Sequence, residues 1–470
     1  MRKTNYLLMG MFIFSLIAFI PQTHSGSAEV AALTAPSALP AVVEIGFLYP
    51  ATGDLGAIGQ GLLDGAMAGA YRLNQTYDFN VTLKVEDTKT VPADAKTAAQ
   101  NLISGGVEVI VGAAASSSTI AASEVTIANE VPLVSYASTS PAITALDDDD
   151  YVLRVVASDV FQGVALAQLA DNQSMSTVYI MNRDDAYGNG VADEFTKAFE
   201  SLGGTVNGRI QYDPTATSYA TEVTTVKDNN PDGVILIAFP TDANEIFGEF
   251  QTQLYATTFF GTDGIASGSV TNATSTRDYL NGTGITSGAH LYGTTPASGT
   301  DPGGESKYDQ YLADLVTTSG LQGVFGDYAY DAVLLVGAAL NATQEYDGVK
   351  IRDALYVEAN GLKGATGANK ALNCAGEPVS QAYDYWNATD YAVTTQVARA
   401  VDFPSIAPAT TERCGLTVET NIVTTTVLDP TTVVTTVVST TTVATPGFEL
   451  LFVLGVVALL AVFKFRKQSK

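Results

Sequence analysis

Apolar, strand-like runs alternate with helix-like segments over most of the chain between Val42 and Gly261. The first unit is the run VVEIGFLY of Val42–Tyr49, a glycine-containing loop, and a small-residue helical segment that begins at Leu62. Consecutive parallel strands need a crossover connection of this kind, and regular alternation of strand and helix is typical of a parallel sheet covered by helices. The sequence therefore predicts an α/β fold.

The alternation restarts after an acidic loop, Asp147–Asp150, and continues for a similar length. A single sheet built from all of these strands would be unusually large for one domain. We therefore predict two α/β lobes. A cleft between such lobes can receive the carboxyl ends of the strands, where small ligands bind in this class of fold.

The stretch Val107–Glu124 combines a strand-like run, Gly112, and a helix-like segment that opens Ser116-Ser117-Ser118-Thr119. The first N–H groups of a helix and its dipole favour an anion at this position. Hydroxyl residues also favour the helix start for a purely structural reason, as N-caps. From these residues alone the stretch is either a carboxylate or phosphate site or a capping cluster.

Composition excludes several function classes. The 49 acidic and 23 basic residues give a net charge of -26, which disfavours nucleic acid because phosphate binding needs clustered Lys and Arg. The chain has two histidines, which rules out a histidine-rich metal site. Because His24 lies in the signal region, His290 is the one candidate base for a serine triad. The loop Pro50–Gly61 lacks both the GxGxxG and the GK[ST] pattern of nucleotide-binding loops, so nucleotide binding is only weakly supported. We predict no catalysis, no cofactor and no metal.

Both ends of the chain carry targeting patterns. Residues 1–28 have the basic, apolar and small-residue parts of a signal peptide, and residues 29–41 are predicted to form a flexible leader. Residues 416–445 are rich in Thr and are predicted to form a stalk. In residues 446–470 an apolar run precedes a basic tail, which predicts a membrane anchor. These patterns predict export and attachment to the outer face of the membrane.

Two features agree with export. Cys374 and Cys414 are the two cysteines, and in an exported chain they predict one disulfide. Asn-x-Ser/Thr glycosylation acceptors recur along the chain, at Asn74, Asn80, Asn172, Asn272, Asn281, Asn341 and Asn387.

Several motifs, in their order along the chain, resemble the branched-chain amino-acid-binding type of ABC-transporter substrate-binding protein. They include IGFLYPATGDLGAIGQG, VGAAASSST, SYASTSP, LRVVASDVFQG, NRDDAYGNG and YAYDAVLL, and the similarity spans about Val42–Val401. The resemblance implies two Rossmann-like lobes with parallel sheets joined by a three-crossover hinge, the type I periplasmic-binding-protein fold. The implied division is 42–158 with 291–365 for the first lobe, and 159–290 with 366–415 for the second.

The resemblance also implies ligand-binding residues. Ser116 matches the position that binds the ligand α-carboxylate, and Ser138 and Thr139 match those whose carbonyl and hydroxyl hold the ammonium and carboxylate. Asp263 falls where the family places an acid for the ammonium, while Tyr187 and Phe239 match aromatic positions of the second lobe.

Three residues of this region depart from the family pattern. Ile58 stands where many relatives have an aromatic residue, and Asp327 lies near another such position, which would suit a polar or cationic ligand. The first-lobe disulfide of the family is missing here, and Ala115 stands just before the serines.

The C-terminal segment carries a further resemblance. The ending Thr445-Pro446-Gly447-Phe448 with its apolar run resembles an archaeal PGF-type surface-sorting signal.

The resulting functional prediction is an extracellular solute-binding protein that captures a small ligand, most favourably an amino acid, by lobe closure. Its implied partners are an ABC permease and ATPase. Two alternatives remain open: a urea, amide or other small-solute binding or sensing protein of the same fold, and a structural cell-surface glycoprotein with a degenerate cleft.

Overall fold

The computed structural model describes residues 38–266, 280, 289–299, 307–368, 371–373, 375–378, 382–389, 392–393, 416–421 and 439–444. The predicted signal peptide, the anchor of residues 446–470, and both Cys374 and Cys414 lie outside these residues. Within them, no helix combines the length and the apolar character needed to cross a bilayer.

The first lobe is built on a parallel sheet of five strands in the order β2-β1-β3-β4-β5. Its helices lie between successive strands in the chain, as the alternating pattern predicts. The elements are β1 Val42–Tyr49, α1 Gly56–Thr76, β2 Asn80–Asp87, α2 Pro92–Ser104, β3 Ile110–Val111, α3 Ser116–Ala128, β4 Leu133–Ser135, α4 Pro141–Thr144 and β5 Val152–Arg154.

The second lobe follows directly. Its elements are α5 Asp159–Asn172, β6 Thr177–Arg183, α6 Ala186–Ser201, β7 Thr205–Tyr212, α7 Ala220–Asn229, β8 Gly233–Ile237, α8 Pro240–Thr252, β9 Thr258–Gly261, a 3-10 turn Asp263–Ile265, and β10 His290–Pro296. The strands β8 and β9 are buried at nearly every position, which is the expected pattern for a parallel sheet covered on both faces.

The chain then returns to the first lobe and crosses once more to the second. The remaining elements are α9 Tyr308–Thr318, α10 Gly326–Thr343, α11 Gly348–Ala359, β11 Lys363–Gly364, β12 Gly367–Ala368, β13 Tyr383–Thr389, β14 Ala392–Val393, β15 Leu416–Asn421 and β16 Ser439–Ala444. Strands β13 and β14 complete a second-lobe sheet of order β14-β13-β10-β9-β8-β6-β7. The described chain therefore passes between the lobes three times, as the predicted hinge requires.

One predicted lobe boundary is wrong. The sequence placed residues from 291 onward in the first lobe, but β10 pairs in parallel with β9 from His290 opposite Thr258 to Gly293 opposite Gly261. The antiparallel β13 pairs with its other edge, with Gly293 opposite Trp386. The run therefore belongs to the second sheet, and the crossover comes after Pro296.

The predicted leader and stalk are only partly described. The end of the leader is attached to the first lobe, since the Leu39 N–H donates to the Gln344 carbonyl at 3.0 Å and Ala38 forms a bridge with Glu345. In the Thr-rich segment, β15 and β16 pair with each other in antiparallel register. A stalk role for this segment stays a prediction.

Glycines let α1 and α10 approach closely on the first lobe. A Cβ added at Gly65 would lie 2.0 Å from the Gly326 carbonyl oxygen, and one at Gly61 would lie 2.8 Å from the Gly323 Cα. Side chains of the same face, including Leu62, pack in the first-lobe core. This contact joins two segments of the lobe that are distant in sequence.

We predict that Gly65→Ala destabilises the protein by about 1–3 kcal/mol, because the new methyl group meets backbone atoms rather than a movable side chain. Gly248→Ala on α8 is the matched control, since nothing lies within 4 Å of its added Cβ. It should be neutral or stabilise by about 0.5–1 kcal/mol through helix propensity. Urea denaturation followed by circular dichroism measures both, and equal effects of the two variants would contradict the packing argument.

Candidate ligand-binding site

A small cavity of about 20 Å³, enough for one water molecule, lies where the two lobes meet. The first lobe contributes Leu55, Ile58, Ala114, Ala115, Ser116, Ala137 and Phe325, and the second contributes Tyr187, Phe239, Asp263 and Gly264. Except for Phe325, which precedes α10, these residues follow the carboxyl ends of parallel strands, where ligands bind in open α/β sheets.

The first-lobe wall is the start of α3. Ser116 is the first residue of this helix, and the N-cap, Ala115, supplies no side-chain cap. The Ser116 hydroxyl oxygen accepts a hydrogen bond from the Ser140 N–H at 3.2 Å, so its own proton remains for another acceptor. Free helix N–H groups and a donor hydroxyl at one point favour an anionic group.

The neighbouring hydroxyls serve the protein itself. Thr119 Oγ1 accepts from the Ala113 N–H at 3.0 Å and lies 2.8 Å from Ser138 Oγ. The Ser138 hydroxyl is also within 3.0 Å of the Ala113 carbonyl. The contacts of Thr119 and Ser138 thus tie the β3–α3 turn to the β4–α4 loop, while Ser116 is the serine that lines the cavity.

Arg154, at the end of β5, binds the backbone of the β4–α4 loop through hydrogen bonds. Its Nη1 donates to the carbonyls of Ser138 at 3.2 Å and Ser140 at 3.0 Å, and its Nη2 pairs with Glu377. The side chain is 1% exposed, so these bonds replace the hydration of its two terminal nitrogens, while Nε has no hydrogen-bond partner among the described residues. The sequence analysis gave Arg154 no role, although it stands in the quoted motif LRVVASDVFQG.

The second-lobe wall combines an acid with aromatic rings. The Tyr187 hydroxyl lies 2.7 Å from Asp263 Oδ1 and 2.7 Å from Thr262 Oγ1. The Tyr187 and Phe239 rings stack with centroids 5.4 Å apart, and the Arg183 guanidinium lies 3.7 Å above the Phe239 ring. An oriented carboxylate at the end of an aromatic surface can bind an ammonium group.

The second lobe holds another buried acid. Asp159 is the first residue of α5 and is 0% exposed, and within the described part of the chain neither of its carboxylate oxygens has a hydrogen-bond partner. Burial raises the pKa of Asp159 well above its usual range, and the charge of Asp263 raises it further. Burial also raises the pKa of Asp263, against hydrogen bonds from Tyr187 and Gln162. The sequence analysis missed Asp159.

Eight of the nine predicted site residues lie at the cavity or directly behind it. Six of them line the cavity: Ile58, Ala115, Ser116, Tyr187, Phe239 and Asp263. Ser138 and Thr139 lie one layer behind it, next to the lining residue Ala137, and the Thr139 hydroxyl is buried without a hydrogen-bond partner among the described residues. The structure thus brings together most of the predicted residues from five separate stretches of the chain.

Asp327 is not among the residues that line the cavity. It lies in the first turn of α10, where its Oδ1 accepts from the Tyr328 N–H at 3.0 Å. Phe325, two residues earlier, lines the cavity instead. The wall at this point is aromatic, which removes the reason for expecting a polar or cationic ligand side chain; Phe325 and Leu55 were not identified from the sequence.

Comparisons with known proteins agree with this architecture. The family described as "Receptor family ligand binding region" matches residues 69–390. The Leu/Ile/Val-binding protein BraC3 of Rhizobium johnstonii is 27% identical over 231 residues, which cover 48% of this chain and 62% of that protein. Matches to the curated relatives span roughly half of each relative's length.

Two solved structures show the same fold. A leucine-binding protein from Thermotoga maritima superposes with a TM-score of 0.65 at 20% identity, covering 74% of this chain and 96% of that one. A solute-binding protein of an ABC transporter from R. palustris, in complex with 4-hydroxybenzoate, gives 0.64 at 18% identity, with 78% and 99% covered. The two-lobed fold and the family match over more than half of the chain lead to one conclusion: this protein belongs to the receptor-family ligand-binding-region family.

Proposed function

We propose that this protein is an extracellular solute-binding protein that captures an amino acid between its lobes and delivers it to an ABC importer. The observation that carries the proposal is the placement of Ser116 and Asp263 on opposite walls of one cavity. A helix start and a donor hydroxyl suit the ligand carboxylate, and the acid held by Tyr187 suits its ammonium group. Each charge that the ligand buries then has a partner.

The remaining walls favour an apolar ligand side chain. Leu55, Ile58, Ala137 and Phe325 offer only carbon atoms to the cavity through their side chains. Relatives described as leucine-, isoleucine- and valine-binding proteins support an aliphatic amino acid. An aromatic carboxylic acid is the second candidate, because one structural neighbour is described in complex with 4-hydroxybenzoate and this cavity has three rings in its wall.

Charge decides between the two candidates. An aromatic acid brings a carboxylate for Ser116 but no cation for Asp263, whose carboxyl group would remain buried without a counter-charge. Such a group either stays charged at a cost of several kcal/mol or takes up a proton, and in neither state does it hold an aromatic acid through an ion pair. We therefore favour the zwitterion.

Closure of the lobes is stabilised at the rim of the cavity. Arg183 Nη2 of the second lobe lies 3.0 Å from Asp54 Oδ2 of the first, and the Ser140 hydroxyl donates to the Ala186 carbonyl at 2.6 Å across the same cleft. Arg183 is held in place by Asp242 and Asp185 at 2.9 and 2.6 Å. A ligand that adds contacts to both walls stabilises this closed arrangement, which the permease would recognise.

We propose further that the chain acts outside the cell, with the signal peptide removed and the C-terminal segment attached to the membrane. The support for this comes from the sequence: residues 1–28 and 446–470 have the two targeting patterns. Fractionation of cells that produce the protein tests the attachment. We expect the full-length protein in the membrane pellet and the protein without residues 446–470 in the supernatant.

Our first prediction on the site concerns Asp263. Asp263→Ala should weaken amino-acid binding by about 2–5 kcal/mol, because the ligand ammonium then lacks its buried partner. Isothermal titration calorimetry with a panel of amino acids, aromatic acids and urea measures this, with Asp228→Ala, an exposed acid of α7, as the control. Binding of an uncharged solute that is indifferent to Asp263 would contradict the zwitterion assignment.

A second prediction concerns closure. Asp54→Asn removes one charge of the interlobe bridge, and since Asp54 is 34% exposed the expected loss of ligand affinity is modest, about 0.2–1 kcal/mol. The difference from the wild type should shrink at high salt, because screening weakens the bridge in the wild type. Calorimetric titrations at two salt concentrations measure it, with the exposed Asp78→Asn as the control. A loss that salt leaves unchanged would show that the bridge does not act through its charge.

A further inference from the structure

We propose that Glu377 is a specificity-determining residue of the ligand site. It neutralises Arg154 behind the carboxylate-binding wall, so that the site selects an amino acid over a carboxylic acid that lacks the amino group. This proposal rests on the proposed function, since it requires a ligand carboxylate at the start of α3. It gives a role in ligand selection to a residue that is not among those that line the cavity.

Hydrogen bonds connect the Arg154–Glu377 pair to the carboxylate-binding wall. The Ser116 hydroxyl accepts from the Ser140 N–H at 3.2 Å, and the Ser140 carbonyl accepts from Arg154 Nη1 at 3.0 Å. The other terminal nitrogen of the same guanidinium forms the ion pair with Glu377. The guanidinium is therefore joined through a single residue, Ser140, to the hydroxyl that we assign to the ligand carboxylate.

The last crossover of the chain places Glu377 at this position, between α11 of the first lobe and β13 of the second. Its Oε2 also accepts from the Thr144 hydroxyl at 2.9 Å, and its Oε1 accepts from Asn373 Nδ2 at 3.2 Å. The carbonyl of the preceding residue, Gly376, accepts from the Arg154 N–H at 2.8 Å. Both carboxylate oxygens are thus bonded, and the acid is held against the arginine.

The pair is buried, so its net charge acts on the site with little screening by water. The side chains of Arg154 and Glu377 are 1% and 9% exposed. Arginine stays protonated in proteins, so without the charge of Glu377 the guanidinium would be an uncompensated cation beside the wall. Asp159 also interacts with Arg154, but burial raises the pKa of Asp159 well above its usual range, which favours its protonated form. Glu377 is therefore the acid that keeps this side of the site neutral.

A neutral pair and a cationic pair select different ligands. An uncompensated guanidinium attracts the carboxylate of an amino acid and that of a plain carboxylic acid alike. It repels only the amino acid, through the ammonium group. Neutralisation by Glu377 removes that repulsion and so favours the zwitterion over the acid.

The test is calorimetric titration of the full-length protein with leucine and with 4-methylpentanoate, which is leucine without its amino group. The readout is the ratio of the two affinities. Glu377→Gln makes the pair positive, and the preference for leucine should fall about tenfold, whereas Arg154→Met makes the pair negative and should raise the preference by a similar factor. The double variant is neutral again, so its ratio should return to that of the wild type.

Two further variants separate charge from support of the loop. Arg154→Lys keeps the charge but has fewer donors for the Ser138 and Ser140 carbonyls, so both affinities should fall while their ratio stays unchanged. Glu200→Gln, which removes an exposed acid of α6, should behave as the wild type does.

The outcomes separate the two proposals. Equal losses for both ligands in Glu377→Gln would mean that the residue only supports the structure, and this overturns the selectivity role while the proposed function stands. A double variant whose ratio differs from that of the wild type also overturns it. So does a wild type that binds leucine and 4-methylpentanoate equally well, and that measurement needs no variant to fold. A protein that binds neither leucine nor any other amino acid of the panel overturns the proposed function, and the selectivity role with it.

Discussion

Burial of charge at the junction of the two lobes is the constraint on which the site depends. The cavity wall holds Asp263, Tyr187 and the start of α3 out of bulk water, and each polar group there must find a partner within the protein or in a ligand. The protein satisfies part of this demand itself through Ser140 and Arg183. The proposed function uses the groups that remain: the start of α3 with Ser116 on one wall suits a carboxylate, and Asp263 on the other suits an ammonium group.

The fold was largely predictable because strand and helix alternation is a strong, local signal. The boundary at β10 was not, since nothing within His290–Pro296 distinguishes the last parallel strand of one lobe from the first element of the other. Pairing with β9 and β13 decides it. The identity of sheet neighbours is a tertiary property, and short apolar runs carry little information about it.

The candidate site, too, was only partly predictable from the sequence. Ser116, Tyr187 and Asp263 stand in recognisable motifs, whereas Phe325 enters the cavity through a loop whose spacing the sequence does not fix, and so displaces Asp327 from the expected role. Asp159 escaped notice for a physical reason: an acid in the first turn of a helix is ordinary, because the helix dipole favours it there. Its complete burial without a hydrogen-bond partner for its side chain among the described residues makes it unusual, and that is a tertiary property.

The glycine contact between α1 and α10 has a consequence for synthesis of the chain. The first lobe is assembled from an early segment and a late one, and residues near Gly323 and Gly326 cover the face of α1 around Gly61 and Gly65. Domains generally fold as they leave the ribosome, N-terminal parts first. Here the earliest sheet must wait for the whole of β6–β10 to be made before its last helix layer arrives. The second lobe is therefore translated while the first still has an open apolar surface, the stage at which the chain most needs protection from aggregation.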